Sequence, residues 1–262
     1  MGCAPTRTEL HRLLKSTSTG RLTKSGPFTS FRSIDVNGRA IGPRLGGVSK
    51  RLTERIFTPH LIAAGAPRPR SAPSGFRGLQ GGRRRGAAVD AQVGRLVEAG
   101  HTTDSLERVG APRLLRLTRL VFGALAVHNL TPIISQRVVI DQRRSIGTAV
   151  DLICVRDRRL CLLELKCGFD GDRTAALAPG ALLRPPLERC VDSPLHRHFA
   201  QLAATKEIFL KERGTLAALK SKGLEGVDGI LLYVSELGSE IHVLPETYWK
   251  RRGARLLNAI QS

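Results

Sequence analysis

Residues 147–168, GTAVDLICVRDRRLCLLELKCG, constrain this chain more than any other stretch. An apolar, β-branched run at 149–155, a charged turn at 156–159 and a second apolar run at 160–165 predict a β-hairpin. Both faces of both runs are too apolar for a solvated ribbon, so the hairpin is expected inside a fold. Three charges interrupt it: Asp151 early in the first strand, Glu164 and Lys166 late in the second. Antiparallel pairing puts all three at the same end. Side-chain alternation sets Glu164 and Lys166 on one face, roughly 6 to 7 Å apart at about 3.3 Å rise per residue. Two carboxylates and an ammonium therefore converge, whereas a surface hairpin ending in a charge pair is the structural alternative.

Such a constellation suits metal-assisted phosphodiester hydrolysis. Hard oxygen ligands hold Mg²⁺ or Mn²⁺, which neutralises phosphate charge and lowers the pKa of a bound water. A lysine beside them orients or deprotonates that water, or stabilises the charge that develops. With Asp151 twelve residues ahead of Glu164-Leu165-Lys166, and Gly147-Thr148-Ala149-Val150 before the aspartate, the chain resembles the PD-(D/E)XK nuclease superfamily. Within it, the RecB-like and mitochondrial genome maintenance exonuclease branches are the most similar. The resemblance implies a restriction-endonuclease-like core, Asp151 and Glu164 as metal ligands with the Leu165 carbonyl completing the set, and Lys166 as the catalytic lysine.

Flanking segments extend this resemblance over about residues 83–260. Ala88, Val89, Val93, Leu96 and Val97 recur at helical spacing and end near Gly100. Gly86-Ala87-Ala88-Val89-Asp90 is similar to a glycine-x-x-x-histidine signature whose histidine helps bind metal; Asp90 stands in that place, and aspartate ligates Mg²⁺ or Mn²⁺ equally well. A second helix is expected from Pro112 to about His128, with Arg113, Arg116 and Arg119 recurring outward where they would track a phosphate backbone or simply be solvated. Residues 133–140 predict a strand. An irregular stretch of about 25 residues after Lys166 reads as a lid or strand-guiding loop. Ser193 as N-cap and Pro194 as first helical residue start a helix over 195–211. It carries Gln201, which the resemblance places beside the active site; Thr205 stands where the family has a tyrosine. His196 and His198 flank the helix start as phosphate-contact candidates. Strands at 229–234 and 240–244 and a helix over 246–260 complete the pattern.

The first third is different. Residues 1–85 hold seventeen Lys and Arg against three acids, much of the net charge of +20. Rich in Ser, Thr, Gly, Pro and Arg and without a sustained apolar period, residues 1–82 are expected to form a basic, largely disordered extension beyond short helices near 9–14 and 52–63. That composition fits a mitochondrial or plastid transit peptide, a nucleic-acid-binding arm, or a nuclear-localisation segment through Arg83-Arg84-Arg85. Met1-Gly2-Cys3 also matches a loose myristoylation pattern. Nothing approaches the roughly 18 to 20 apolar residues of a membrane span. The five cysteines lack finger or CxxC spacing and are expected as free thiols.

The expected architecture is thus α/β: a central mixed sheet of three early and two later strands, flanked by helices, over residues 83–262. The expected activity is a metal-dependent DNA nuclease, exo- or endonucleolytic. A catalytically inactive nucleic-acid-binding protein on the same core and an RNA-processing nuclease are the alternatives.

Overall fold

The computed structural model describes residues 5–18, 20–25, 28–35, 37, 39–58, 78–106, 114–168, 172–212 and 214–261. Its centre is the expected run of antiparallel strands: β4 (Thr131–Asp141), β5 (Ile146–Arg156) and β6 (Arg159–Cys167). The β5–β6 turn is made by Asp157 and Arg158, both at positive φ (47° and 60°), a backbone that matches the right-handed twist of paired strands. Parallel to β6 lies β7 (Gly226–Ser235), and antiparallel to β7 lies β8 (Gly238–Val243). A parallel neighbour requires a crossover, supplied by α6 (Pro194–Lys211) and α7 (Thr215–Ser221). The start of α6 is as the sequence predicts: Ser193 Oγ accepts the His196 N–H, and Pro194 opens the first turn.

Alternation along β6 divides the interior. Leu160 and Leu162 join α6 and α8 (Glu246–Ala259) on one face, while Cys161, Leu163 and Leu165 meet α3 (Gly78–Glu98) and α5 (Arg116–Val127) on the other. Between them runs α4 (Thr103–Leu106). Each fully buried Leu here contributes on the order of 2 kcal/mol of transfer free energy. The result is a mixed, open α/β sheet flanked by helices. Of the expected α3 stripe, Val89, Val93, Leu96 and Val97 are buried whereas Ala88 is exposed, and the chain leaves the helix through Gly100 at φ 84°. α5, however, starts at Arg116 rather than Pro112, which lies outside the described residues.

The first third departs further from expectation. The described residues between 7 and 57 form helices and strands that pack on the main sheet, where a largely disordered extension was expected. α1 (Arg7–Ser16) opens with a capping box between Thr6 and Glu9 and buries Leu10 and Leu14 in the cluster that holds Ile133 and Val139 of β4. β1 (Gly20–Ser25), β2 (Phe28–Ile34) and β3 (Ala40–Gly47) form an antiparallel meander. β3 joins the main sheet in parallel through Gly46 opposite Ile146 and Gly47 opposite Gly147. α2 (Val48–Arg55) then returns Val48 and Leu52 to the same core. The apolar residues of this segment are few, but Leu10, Leu14, Val48 and Leu52 are buried in the main core and Phe31 and Leu45 against Val138 and Ile140, cover that composition does not reveal. Residues 59–77 lie outside the described residues.

The long stretch before α6 is packed against the fold, over the residues described. Leu182 and Val191 form a β-bridge, Leu183, Leu187 and Cys190 are buried, and the Asp192 carboxylate holds Arg197 at 2.5 and 2.8 Å. Among the described residues the cysteines are free thiols, and no helix is long and apolar enough to cross a membrane.

Candidate active site

The strand β5 organises the site. β4 pairs along one edge of it, from Ile146 to Val155. On the opposite edge β3 takes Ile146 and Gly147, and β6 takes 152–156. Among the described residues the interval 148–151 has no ladder partner on that side, so the sheet is notched beside Asp151. At the lip of the notch the Asp151 carboxylate takes over the role of a backbone acceptor: Oδ2 receives the Leu165 N–H at 2.9 Å. This bond ties the aspartate of β5 to the centre of the Glu164-Leu165-Lys166 triplet on β6.

The convergence expected from the sequence is therefore present. Lys166 Nζ donates to Glu164 Oε1 at 2.5 Å, and Gln201 Nε2, reaching down from α6, donates to the same oxygen at 2.6 Å. Glu164 is only 4% exposed, a burial that a carboxylate tolerates when paired and hydrogen-bonded. Thr205, one turn on from Gln201, is buried and returns its hydroxyl to the Gln201 carbonyl at 2.9 Å.

Charge crowding is the electrostatic signature. Burial, then the neighbouring Glu164, push the Asp151 carboxyl well above the ordinary aspartate range, with Asp90 adding to the effect; Lys166 and the Leu165 N–H oppose it. Asp90, on α3, is raised to about 6, first by burial and then by Glu164, against the pull of Lys166. Lys166 itself loses charge affinity by burial, but Glu164 and Asp151 outweigh that and raise it, so it is an ammonium at neutral pH. Asp90 thus feels the same charges as Asp151 although it comes from the helix layer on the other side of the sheet.

Other sequence candidates have different surroundings. Arg113 lies outside the described residues. Arg116 pairs with Glu236 of the β7–β8 turn at 3.3 Å, which also holds Arg85, and Arg119 is exposed on α5. His196 Nδ1 faces its own cap, Ser193 Oγ, at 3.0 Å, and burial lowers its pKa. His198 is turned inward: Nδ1 meets the Tyr233 hydroxyl at 2.7 Å, and burial followed by Lys166 and Arg197 drives its pKa down to about 3. It is a neutral hydrogen-bonding partner beside the lysine rather than a surface cation. Tyr233 is paired with Lys166 across β6 and β7 and has the Arg173 guanidinium 4.5 Å from its ring centre.

Sequence reasoning missed Gln136. It stands on β4 between Ser135 and Arg137, whose partners on β5 are Leu152 and Val150, and so faces Asp151. Its Nε2 donates to Asp151 Oδ1 at 3.3 Å, and its backbone lies at φ 49°, left-handed in mid-strand. The available signal was the polar triplet Ser135-Gln136-Arg137 interrupting an apolar strand directly across the hairpin from Asp151.

The donor set fits a hard divalent cation. Asp151 and Glu164 supply carboxylate oxygens, the Leu165 carbonyl is adjacent in sequence, and Asp151 and Asp90 are raised first by burial and then by neighbouring carboxylates, a cost of ionisation that a cation would offset. Among the described residues no group of three or more His, Cys, Asp or Glu side chains is placed to hold a metal ion by itself.

An open mixed α/β sheet with two strand-borne carboxylates and a lysine at a notch in its edge is the class of protein defined here. No protein-family model matches the chain and no curated protein matches it, so the reading of the site rests on its own residues.

Proposed function

We propose that this chain is a metal-dependent DNA nuclease of the PD-(D/E)XK kind, hydrolysing phosphodiester bonds. One observation carries the reading: Asp151, Glu164 and Lys166 meet at the same end of β5 and β6, locked by the Leu165 N–H and by Gln201. Asp151, Glu164 and the Leu165 carbonyl would hold Mg²⁺ or Mn²⁺, with Asp90 beside them. The cation supplies a water of lowered pKa and neutralises phosphate charge.

The chain's own residues do the remainder. Lys166, held as an ammonium, is suited to orient the attacking water and to stabilise charge on the phosphate oxygens, rather than to act as a base. Gln201 shares Glu164 Oε1 with it and so fixes the carboxylate's orientation. The neutral His198 and Tyr233 wall the lysine on the α6 side. A net charge of +20 favours a polyanionic substrate.

The test is cleavage of linear and circular, single- and double-stranded DNA with Mg²⁺ or Mn²⁺, comparing wild type with Lys166→Ala. Cleavage that needs metal and disappears in the variant is the expected result, and loss of activity on circular substrates assigns an exonuclease. Folded wild-type protein that cuts no DNA, yet binds duplex in EDTA with a steep salt dependence, would refute the reading in favour of a nucleic-acid-binding protein. RNA competing better than DNA would reassign the substrate.

A further inference from the structure

We infer that Gln136 is a positioning residue for Asp151, setting the orientation in which that carboxylate accepts a divalent cation; this rests on the nuclease reading above. Three observations meet at this side chain. It faces Asp151 across the β4–β5 ladder. Its Nε2 lies 3.3 Å from Asp151 Oδ1, while Oδ2 is held by the Leu165 N–H at 2.9 Å, so the two oxygens of the carboxylate are fixed from opposite sides. Finally, its φ of 49° is a left-handed conformation that is strained for a glutamine and persists where the surroundings demand it.

The backbone strain has its own local reason, which the side chain does not share. Ser135 Oγ reaches the Gly94 carbonyl of α3 on one face of the sheet, whereas Arg137, two residues on, enters the α6 face at Glu212. Residues i and i+2 of a regular strand share a face. The left-handed residue between them reverses that, and glycine would serve the reversal with less strain. A glutamine at this position is explained by its amide, which donates to Asp151 Oδ1 and restrains the rotation of that carboxylate. Hydrogen-bond partners that orient metal ligands characteristically change metal affinity or activity by about 10- to 100-fold when removed.

Gln136→Gly separates the two roles, because it keeps the reversal and deletes the amide. The full-length variant is expected to unfold at the wild-type temperature or above it, yet to bind Mn²⁺ in calorimetric titration about 10- to 100-fold more weakly. The metal concentration giving half-maximal cleavage should rise by the same factor, with the rate at saturating metal much less affected. Gln136→Asn, which tolerates the left-handed backbone and keeps an amide, should fall between the two and reads the same effect if the glycine variant does not fold. Wild-type Mn²⁺ affinity in both variants would overturn the inference while leaving the nuclease reading intact. Wild-type protein that neither binds Mn²⁺ nor cleaves DNA would overturn both.

Discussion

Replacing Arg137 by Met removes the positive half of an ion pair from which water is excluded. Both side chains are 1% exposed, Nη2 lies 2.7 Å from Glu212 Oε2, and Nε donates to the Leu14 carbonyl at 3.0 Å. Nη2 also reaches Thr17 Oγ1 at 3.2 Å, and the guanidinium stacks 4.9 Å from the Phe209 ring centre. Methionine restores much of the volume but none of the charge, leaving Glu212 buried without this cation and the Leu14 carbonyl of α1 without this donor. Breaking a pair of this kind costs about 3 to 5 kcal/mol. Against a total domain stability on the order of 5 to 15 kcal/mol, that is a large share. Urea unfolding followed by circular dichroism should show the midpoint falling with an unchanged slope, and hydrogen exchange should show α1 amides losing protection. Glu212→Leu added to Arg137→Met should return most of the loss, since an apolar pair has no charge to desolvate. A single-variant cost below about 1 kcal/mol, with α1 protection intact, would refute the assignment of residues 7–17 to the core.

Two further outcomes follow from packing and charge. A Cβ on Gly147 would stand 2.8 Å from Phe31 Cβ and 2.9 Å from its Cγ, so Gly147→Ala should lower stability by about 1 to 3 kcal/mol in the same unfolding assay, and Phe31→Ala, which removes Cγ and the ring but keeps Cβ, should relieve the added methyl only in part. Asp90, raised to about 6 in the fold from 3.8, binds more protons folded than unfolded between those values; its contribution is favourable below pH 3.8 and is lost as pH rises through 6. After allowance for solvent at a partly exposed carboxyl, this loss amounts to about 1 to 2 kcal/mol. In EDTA, Asp90→Asn should therefore gain melting temperature over wild type at pH 7 but not at pH 4, and an equal difference at both would contradict the electrostatic account.

Much of the site was legible because its signals are local. The β5–β6 hairpin declares itself by apolar runs around a short turn, and antiparallel geometry alone then brings Asp151 to Glu164 and Lys166. Ser193 and Pro194 announce α6 in two adjacent residues, and with it Gln201. The amino-terminal elements were not legible as fold because their cover is remote: Leu10 and Leu14 are buried only once β4 is in place, and β3 meets the main sheet at just Gly46 and Gly47. The local signs reached only as far as short helices near 9–14 and 52–63: α1 covers the first, while α2 overlaps the second only at 52–55, and the Thr6–Glu9 capping box was a further sign. Gln136 was hidden for another reason. A left-handed residue in mid-strand is set by what its neighbours on either side must reach, and no periodicity encodes that.

Among the polar contacts of α6 and its C-cap, Gln201 on Glu164 and Glu212 on Arg137 lie far apart, roughly 16 Å at 1.5 Å per residue. Mechanically the helix is a strut with one foot in the chemistry and the other in the joint that seats α1. Trimming the amino-terminal segment therefore loosens the far foot, and Gln201 moves with it. A shortened chain that still folds is expected to fail first in the placement of Glu164, so its loss of activity would report a slack strut rather than a missing nucleic-acid contact.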